Sequence, residues 1–333
     1  MRTLYLIDGY AQFFRAYHAI RTPMTSPVTK EPTSATFGFV GMLLKLLRGE
    51  QPGQQALGGP PDYLVVTLDV SGDRGTFRSR LYPEYKATRS AIPDDLPPQI
   101  DRCIRLLAEI GVPTIGAEGY EADDVIASIA SIAAEADDGL RVVIISKDKD
   151  LKQLLDAAGD GPGRVVMYDV HTDQASSAET LKEETGLAPG QVVDMLTLMG
   201  DTVDNVPGVE GVGAKTAAKL IAEYGSLDAL MADAASIKGK RGERLREAAD
   251  RLPLSKDLVT LRRDVETGFD LDSAKTETIE LAKLLPILAE LGFNRYQDDV
   301  RALTGASAPD AKPTTKPRVR ELEGGVFGGS LFD

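Results

Sequence analysis

Carboxylates gather at the ends of apolar runs in this chain. LYLI ends at Asp8, YLVVTL at Asp69, and VVIIS leads into Asp148 and Asp150. Glu121, Asp123 and Asp124 open a helical pattern in GYEADDVIASIA, and Asp201 and Asp204 fall in MGDTVDNVPGV. Nine such acids at one edge of a sheet repel strongly, on the order of 4 kcal/mol per pair at about 4 Å and an effective dielectric near 20. They must either protonate or bind cations. All-oxygen donors select hard ions, Mg²⁺ with Mn²⁺ as a substitute. More acids than one ion needs implies two ions, an arrangement suited to phosphodiester hydrolysis. No Ser–His or Cys–His nucleophile is evident. Taken singly, each acid has a plainer reading: first-turn acids favour a helix N-terminus, Asp148 could cap the helix from Leu151, and an Asp after a strand is often a turn residue. Asp169 also follows a strand and is given no role.

The elements that must position these acids read as strands and helices in alternation. Leu4–Ile7, Tyr63–Leu68, Val112–Ile115, Arg141–Ser146 and Arg164–Tyr168 are buried-strand candidates. Helices are expected at Pro32–Leu47, Gln99–Ile110 and Glu121–Ala134, the last with Val125, Ile126, Ile129 and Ile132 inward, and a short one from Leu151. Gly49–Asp62 reads as a loop, and Ser71–Pro98 as a polar, basic, Pro-punctuated functional segment. Beyond about residue 177 the pattern is helical: Gly186–Met199, Ala214–Tyr224, Leu227–Ala232, Arg241–Leu252 and Ile279–Leu291. The expectation is an α/β fold with a mostly parallel central sheet over 1–177, then a helical region over 178–303. The tail, 304–333, is rich in Ala, Pro, Lys, Thr and Gly and is expected to be disordered.

Bulk numbers restrict the class. With 42% hydrophobic and 27% charged residues over 333 positions, the chain can bury a sizeable core. One Cys and two His exclude a disulfide framework and a multi-Cys/His zinc site. No apolar run approaches membrane-spanning length and MRTLYLIDGY is no signal peptide, so a cytoplasmic protein without membrane partners is expected. A net charge of -13 argues against a nucleic-acid partner until its distribution is considered. Basic residues crowd 74–89 and 238–263, so one surface can still be cationic.

Five strings together resemble the 5′ nuclease family, which includes the N-terminal domain of bacterial DNA polymerase I, phage 5′ nucleases and flap endonucleases. They are LIDGYAQFFRAYHA, LVVTLD with TFRSRLYPEYKATR, GYEADDVIASIA, SKDKDLKQLL and GDTVDNVPGVEGVGAKTAAKLI, in family order over roughly 4–293. The resemblance implies the PIN-like 5′ nuclease fold with a helix–hairpin–helix element and an arch over 71–98. It implies that Asp8, Asp69, Glu121, Asp123 and Asp124 surround a first metal, and Asp148, Asp150, Asp201 and Asp204 a second. Arg15 and Arg78 match bases facing the scissile phosphate, and Lys86 and Arg89 lie in the arch, where a cation could neutralise the transferred phosphate. Tyr10 and Tyr82 are candidate base stackers. Gly208, Gly211, Gly213, Lys215, Thr216 and Lys219 form a phosphate-binding hairpin, whose plainer reading is an ordinary helix–helix turn; a K⁺ ion there is a further expectation. Lys238, Lys240, Arg241, Arg244 and Arg246 could extend that surface.

The implied activity is a monomeric, structure-selective 5′-3′ exonuclease and flap endonuclease using Mg²⁺. Its partners would be DNA with 5′ flaps, nicks or 5′ ends and RNA–DNA primers, in replication and repair. With no polymerase region before Asp333, a free-standing form is expected. Phe327–Phe332 could dock a sliding clamp or a polymerase. The alternatives are a PIN-type RNA nuclease, for which the hairpin is dispensable, and a non-catalytic DNA-binding module of the same fold. The loop at 49–61 is longer than the family pattern.

Overall fold

The first strand alternates its side chains between two cores. Leu4 and Leu6 join one buried cluster, Tyr5 and Ile7 the other, all fully buried. A strand covered on both faces must be apolar throughout, which is why LYLI carries no polar alternation. Each such buried side chain contributes about 1.5–3 kcal/mol.

The computed structural model describes residues 1–136, 139–156 and 164–306. The order is β1 (Arg2–Asp8), α1 (Gly9–Ala19), α2 (Ser34–Arg48), α3 (Pro52–Leu57), β2 (Tyr63–Thr67), α4 (Gly72–Gly75), α5 (Phe77–Leu81), α6 (Leu96–Ile110), β3 (Thr114–Ile115), α7 (Ala122–Ala136) and β4 (Leu140–Ile145). After a 3₁₀ turn at Asp150–Leu154 come β5 (Val165–Asp169), β6 (Gln174–Ser176), α8 (Ala178–Thr185), α9 (Val192–Met199), α10 (Ala214–Tyr224) and α11 (Leu227–Ala232). The described chain closes with α12 (Gly239–Ala248), α13 (Leu252–Val259), α14 (Leu284–Glu290) and α15 (Asn294–Thr304).

The strands form one sheet in the order β3-β2-β1-β4-β5-β6. It is parallel except for β6, which runs antiparallel to β5. Chain order reverses on either side of β1, so a crevice opens at the carboxyl ends of β1 and β4, where open α/β sheets bind ligands. One face packs on α7 and, through the same cluster, on Leu196, Leu220, Leu245 and Leu258 of the helical region. The other face carries α1, α2 and α6, with Phe293 and Tyr296 of the C-terminal helices packed on Phe37.

Several expectations are corrected. The 49–62 stretch is not all loop, because Pro52 starts α3 and Gln54 is buried, donating to the carbonyl of Leu46 at 2.7 Å. Gly186–Met199 is not one helix: α9 begins at Val192. The 241–252 pattern splits into α12 and α13. Ile132 is 45% exposed, since the buried arc of α7 centres on Ile126, Ala130 and Ala133 and leaves it on the rim. The tail lies outside the described residues from 307 onward, Phe327–Phe332 included. Among the described residues no helix is long and apolar enough to cross a membrane.

Candidate active site

Asp8 ends β1 and caps α1, accepting the Ala11 N–H at 3.2 Å. Its second oxygen accepts the Ser146 hydroxyl at 3.0 Å, which ties the end of β1 to the end of β4. The same hydroxyl accepts the Asp148 N–H at 3.1 Å, and an Asp148 oxygen accepts the Asp150 N–H at 2.9 Å. Asp69, just past β2, accepts the Ala122 N–H at 2.8 Å, so it holds the start of α7 beside the sheet edge. Asp8 thus caps a helix as the plainer reading expects, whereas Asp148 caps none: the 3₁₀ turn at Asp150–Leu154 follows Lys149 and has no side-chain cap.

These placements create a cleft of about 710 Å³ lined by Asp8, Asp69, Glu121, Asp123 and Asp148, with Lys86 and Arg89 on its basic side and Tyr10 and Phe14 on its aromatic wall. Burial pushes the Asp8 carboxyl up to about 7, with Asp69 adding to the rise. Burial and then Asp148 and Asp8 hold Asp123 well above the usual carboxylate range. Burial also raises Asp69, against the Ala122 N–H that opposes it. Beside the cleft, Asp150 is pushed up to about 7 by burial and by Asp148, and it also feels Asp201 and Asp204. Its Oδ1 is buried without a hydrogen-bond partner.

Basic side chains already hold part of this charge. The Lys86 ammonium lies 2.6 Å from Glu121. Arg89 pairs with Asp204 at 2.6 Å and with Asp73 at 3.5 Å. Lys149 pairs with Asp201; that bond and the N–H groups of Asp204 and Val203 keep Asp201 below the usual carboxylate range despite its burial. Tyr85 donates to Glu121 at 3.0 Å and lies 3.3 Å from Asp204. Among the described residues, no three acidic, His or Cys side chains converge closely enough to hold an ion as they stand. The donor set still fits a hard divalent ion: the side chains that line the cleft's acidic side offer only oxygen, and beside it the buried Oδ1 of Asp150 lacks a partner.

Four expected site residues are placed elsewhere. Arg78 is 2% exposed and meets no open surface; its fork is spent on Asp124 at 2.6 and 2.8 Å. Asp124 is fully buried with both oxygens on that fork, so it is a partner for Arg78 and not an open donor. Arg15 turns to Asp169 at 2.6 Å, beside Lys147 at 2.8 Å, and does not line the cleft. Tyr82 is half-buried against the core shared with the helical region. Ser146, Lys149 and Tyr85 went unassigned in the sequence. Lys149 alone carried a signal, as a base between two acids in KDKD.

The hairpin lies beyond Asp201. Gly200 ends α9 at φ 65° and ψ -173°, a region open in practice only to glycine. The chain then folds back through a bridge between Asp201 and Val206. A Cβ on Gly200 would lie 2.6 Å from the Gly208 nitrogen, and one on Gly208 would lie 2.5 Å from the Gly200 nitrogen. Gly208 therefore serves the chain's own close approach, and it also lines an open pocket with Gly211 and Gly213. Gly200→Ala is expected to cost about 1–3 kcal/mol from the dihedral strain alone, read as a lower melting temperature, with more from the clash. Gly211 turns at φ 73° beneath Arg244. Gly213 has open space around it and precedes α10, with Lys215 and Lys219 exposed and Thr216 half-buried. The accessible part of the motif is thus the N-terminus of α10.

The comparisons with known proteins agree with this architecture. The model of the family described as 5′-3′ exonuclease, N-terminal resolvase-like domain, matches residues 3–186. That of the 5′-3′ exonuclease, C-terminal SAM fold, matches 187–282. DNA polymerase I of Rhizobium leguminosarum is 41% identical over 311 residues, 93% of this chain and 29% of that protein. DNA polymerase I of Mycobacterium tuberculosis is 35% identical over 312 residues, 92% of this chain and 32% of that protein. The chain thus spans about three tenths of the length of these relatives. A T5 5′-exonuclease structure with bound zinc shares the fold, with a TM-score of 0.59 at 22% identity, covering 91% of this chain and 99% of that one. The catalytic core of Rad2 in complex with DNA substrate shares it with a TM-score of 0.54 at 17% identity, covering 91% and 92%. With both family models matched in order across residues 3–282, the chain belongs to the 5′-3′ exonuclease family.

Proposed function

We propose that the protein hydrolyses DNA phosphodiester bonds at 5′ ends and flaps, as a structure-selective exonuclease and flap endonuclease that uses two Mg²⁺ ions. The observation that carries this reading is the cleft itself, where acids from the ends of β1, β2 and β4 and the start of α7 face one another beside Lys86 and Arg89. Asp8, Asp69, Glu121 and Asp123 would hold one ion, and Asp148, Asp150, Asp201 and Asp204 the other. Such ions supply an activated water and offset charge on the phosphate. Lys86 and Arg89 present cations to the same phosphate, and Tyr10 with Phe14 offers an aromatic wall for an unpaired base.

The N-terminus of α10, with Lys215 and Lys219, would take a duplex phosphate without reading sequence, so binding should weaken steeply with salt. The basic residues of α12 extend that surface. At the hairpin, a K⁺ ion would compete with Arg251 and Arg244, which donate to the carbonyls of Gly208 and Glu210 at 3.2 and 3.3 Å. A division near 177 rests on the change from alternating strands to helices, and the arch assignment of 71–98 on the resemblance of that basic segment to the family's arch. Primer removal is a role that the polymerase I relatives suggest; docking on a sliding clamp or polymerase rests on the tail string Phe327–Phe332 alone.

The test is cleavage of a 5′-labelled flap duplex by the purified chain with Mg²⁺ or with EDTA, beside single-stranded RNA of equal length. Mg²⁺-dependent cutting near the flap junction is expected, with little cutting of the RNA. Preferential RNA cleavage would move the reading to a PIN-type RNA nuclease. Binding of the duplex without turnover would move it to a non-catalytic module.

A further inference from the structure

Arg78 offers five N–H donors, and its buried fork meets four partners drawn from two distant parts of the chain. Nε donates to the Leu258 carbonyl at 2.7 Å, and one terminal nitrogen reaches the Thr260 carbonyl at 3.2 Å. The terminal nitrogens also grip both Asp124 oxygens, and one lies 3.3 Å from Glu121 Oε2. A single side chain therefore joins the end of α13 to the acids at the start of α7.

The links continue on both sides. Asp124 accepts the Glu121 N–H at 3.2 Å and the Arg262 N–H at 2.9 Å. Ser255 on α13 donates to the Pro207 carbonyl, and Arg251, at the N-cap of α13, to that of Gly208. The hairpin is thereby fastened to α13, α13 to Arg78, and Arg78 to Glu121. Charges within the node balance, with Arg78 and Lys86 against Asp124 and Glu121. Asp124 is consumed in this balance, while Glu121 reaches the cleft.

We propose that Arg78 is a positioning residue through which the hairpin-bearing helices hold Glu121 in place for a divalent ion. The inference rests on the reading of the cleft as an ion site. Lysine cannot replace the fork, because one ammonium cannot span the Leu258 and Thr260 carbonyls and both Asp124 oxygens. Partners that orient a ligand from behind typically change ion affinity by about 10–100-fold.

The test is calorimetric titration of the full chain with Mn²⁺, alongside thermal melts, for wild type, Arg78→Lys, Arg78→Met and Arg78→Met/Asp124→Leu. Arg78→Met leaves Asp124 buried and unpaired, and it should melt lowest. The double variant replaces a buried pair with apolar groups, so it should regain much of the melting temperature. Its affinity for Mn²⁺ should stay at least about ten-fold below wild type, as should that of Arg78→Lys. If Arg78→Met does not fold, these two variants carry the test. Affinity that returns with the melting temperature in the double variant would reduce Arg78 to a counter-charge for Asp124 and overturn the inference. Wild-type affinity in Arg78→Lys would overturn it equally. A wild-type chain that binds no Mn²⁺ would instead remove the ion reading and this inference together.

Discussion

Asp8→Asn is expected to abolish cleavage while making the ion-free protein harder to melt at pH 8. The exchange keeps the shape and the cap on α1, since an amide oxygen can still accept the Ala11 N–H. It removes a charge from the floor of the cleft. Electrostatic stabilisation supplied through bound ions is worth several kcal/mol in the transition state, so turnover should fall by at least about 100-fold. Stability moves the other way. Burial and the neighbouring Asp69 push the Asp8 carboxyl up to about 7, so at pH 8 its ionisation is a cost borne by the folded state. Removing it should return about 2 kcal/mol, after discounting the rise for coupling with the neighbouring acids. Flap cleavage in Mg²⁺ and calorimetric melting in EDTA check the two halves. Wild-type cutting by the variant would end the assignment of Asp8 to ion binding. A lower melting temperature in EDTA at pH 8 would refute the electrostatic account.

The strand acids were legible in the sequence because a doubly covered parallel strand is a continuous apolar run, and its polar exit stands out. Leu4–Ile7 followed by Asp8 and Tyr63–Leu68 followed by Asp69 both have that form, and the sheet places each at its carboxyl edge. The antiparallel β6 was not legible, since three residues, Gln174–Ser176, carry no periodicity. Nor was α15, where only Tyr296 and Val300 are buried among polar residues. A signal for α8 was present and unread: Ser177 and Thr180 form a reciprocal capping box before Ala178–Thr185.

The basic residues were less legible than the acids, for a physical reason. An acid at a strand end is placed by its own strand, but a long cation is placed by whatever it finds. Arg78 lies in a basic segment and reads as a phosphate contact, yet its partners lie 46 and 180 positions away. Arg15 is likewise claimed by Asp169, 154 positions on, an acid with no role in the sequence reading. Lys86 and Arg89 do reach the cleft, because Lys86 turns at φ 55° and its N–H is held by the Asp204 carbonyl at 2.9 Å. The same local fold thus brings the basic segment and the acid of the DTVDN motif together.

Raising the pH from about 5 to about 8 should lower the melting temperature in EDTA and enlarge the stabilisation that Mg²⁺ provides. The folded-state values for Asp8 and Asp150 are about 7, above the ordinary 3.8, in both cases chiefly through burial. Asp123 is raised as well. Between those limits the folded chain keeps protons that the unfolded chain releases, so folding takes up protons and stability declines as pH rises. The contribution is fully present below 3.8 and lost as the pH passes about 7. Two groups have the opposite sign. Asp169, held below the usual carboxylate range by Arg15 and Lys147 despite its burial, acts only at lower pH. His171, lowered to about 4 by burial and Arg15, opposes the decline up to about pH 6.5 and is outweighed by the several raised carboxyls. Divalent ions bind the ionised carboxylates, so protons compete with them below about 7 and not above. At an ion concentration near 100 times the dissociation constant the gain is about 2.7 kcal/mol, and it should shrink at pH 5, where the carboxyls hold their protons. Melting curves at pH 5, 6, 7 and 8, each in EDTA and in Mg²⁺, measure both trends. A melting temperature in EDTA that climbs from pH 5 to 8, with an Mg²⁺ increment independent of pH, would mean that the acids are already neutralised within the protein and need no ion.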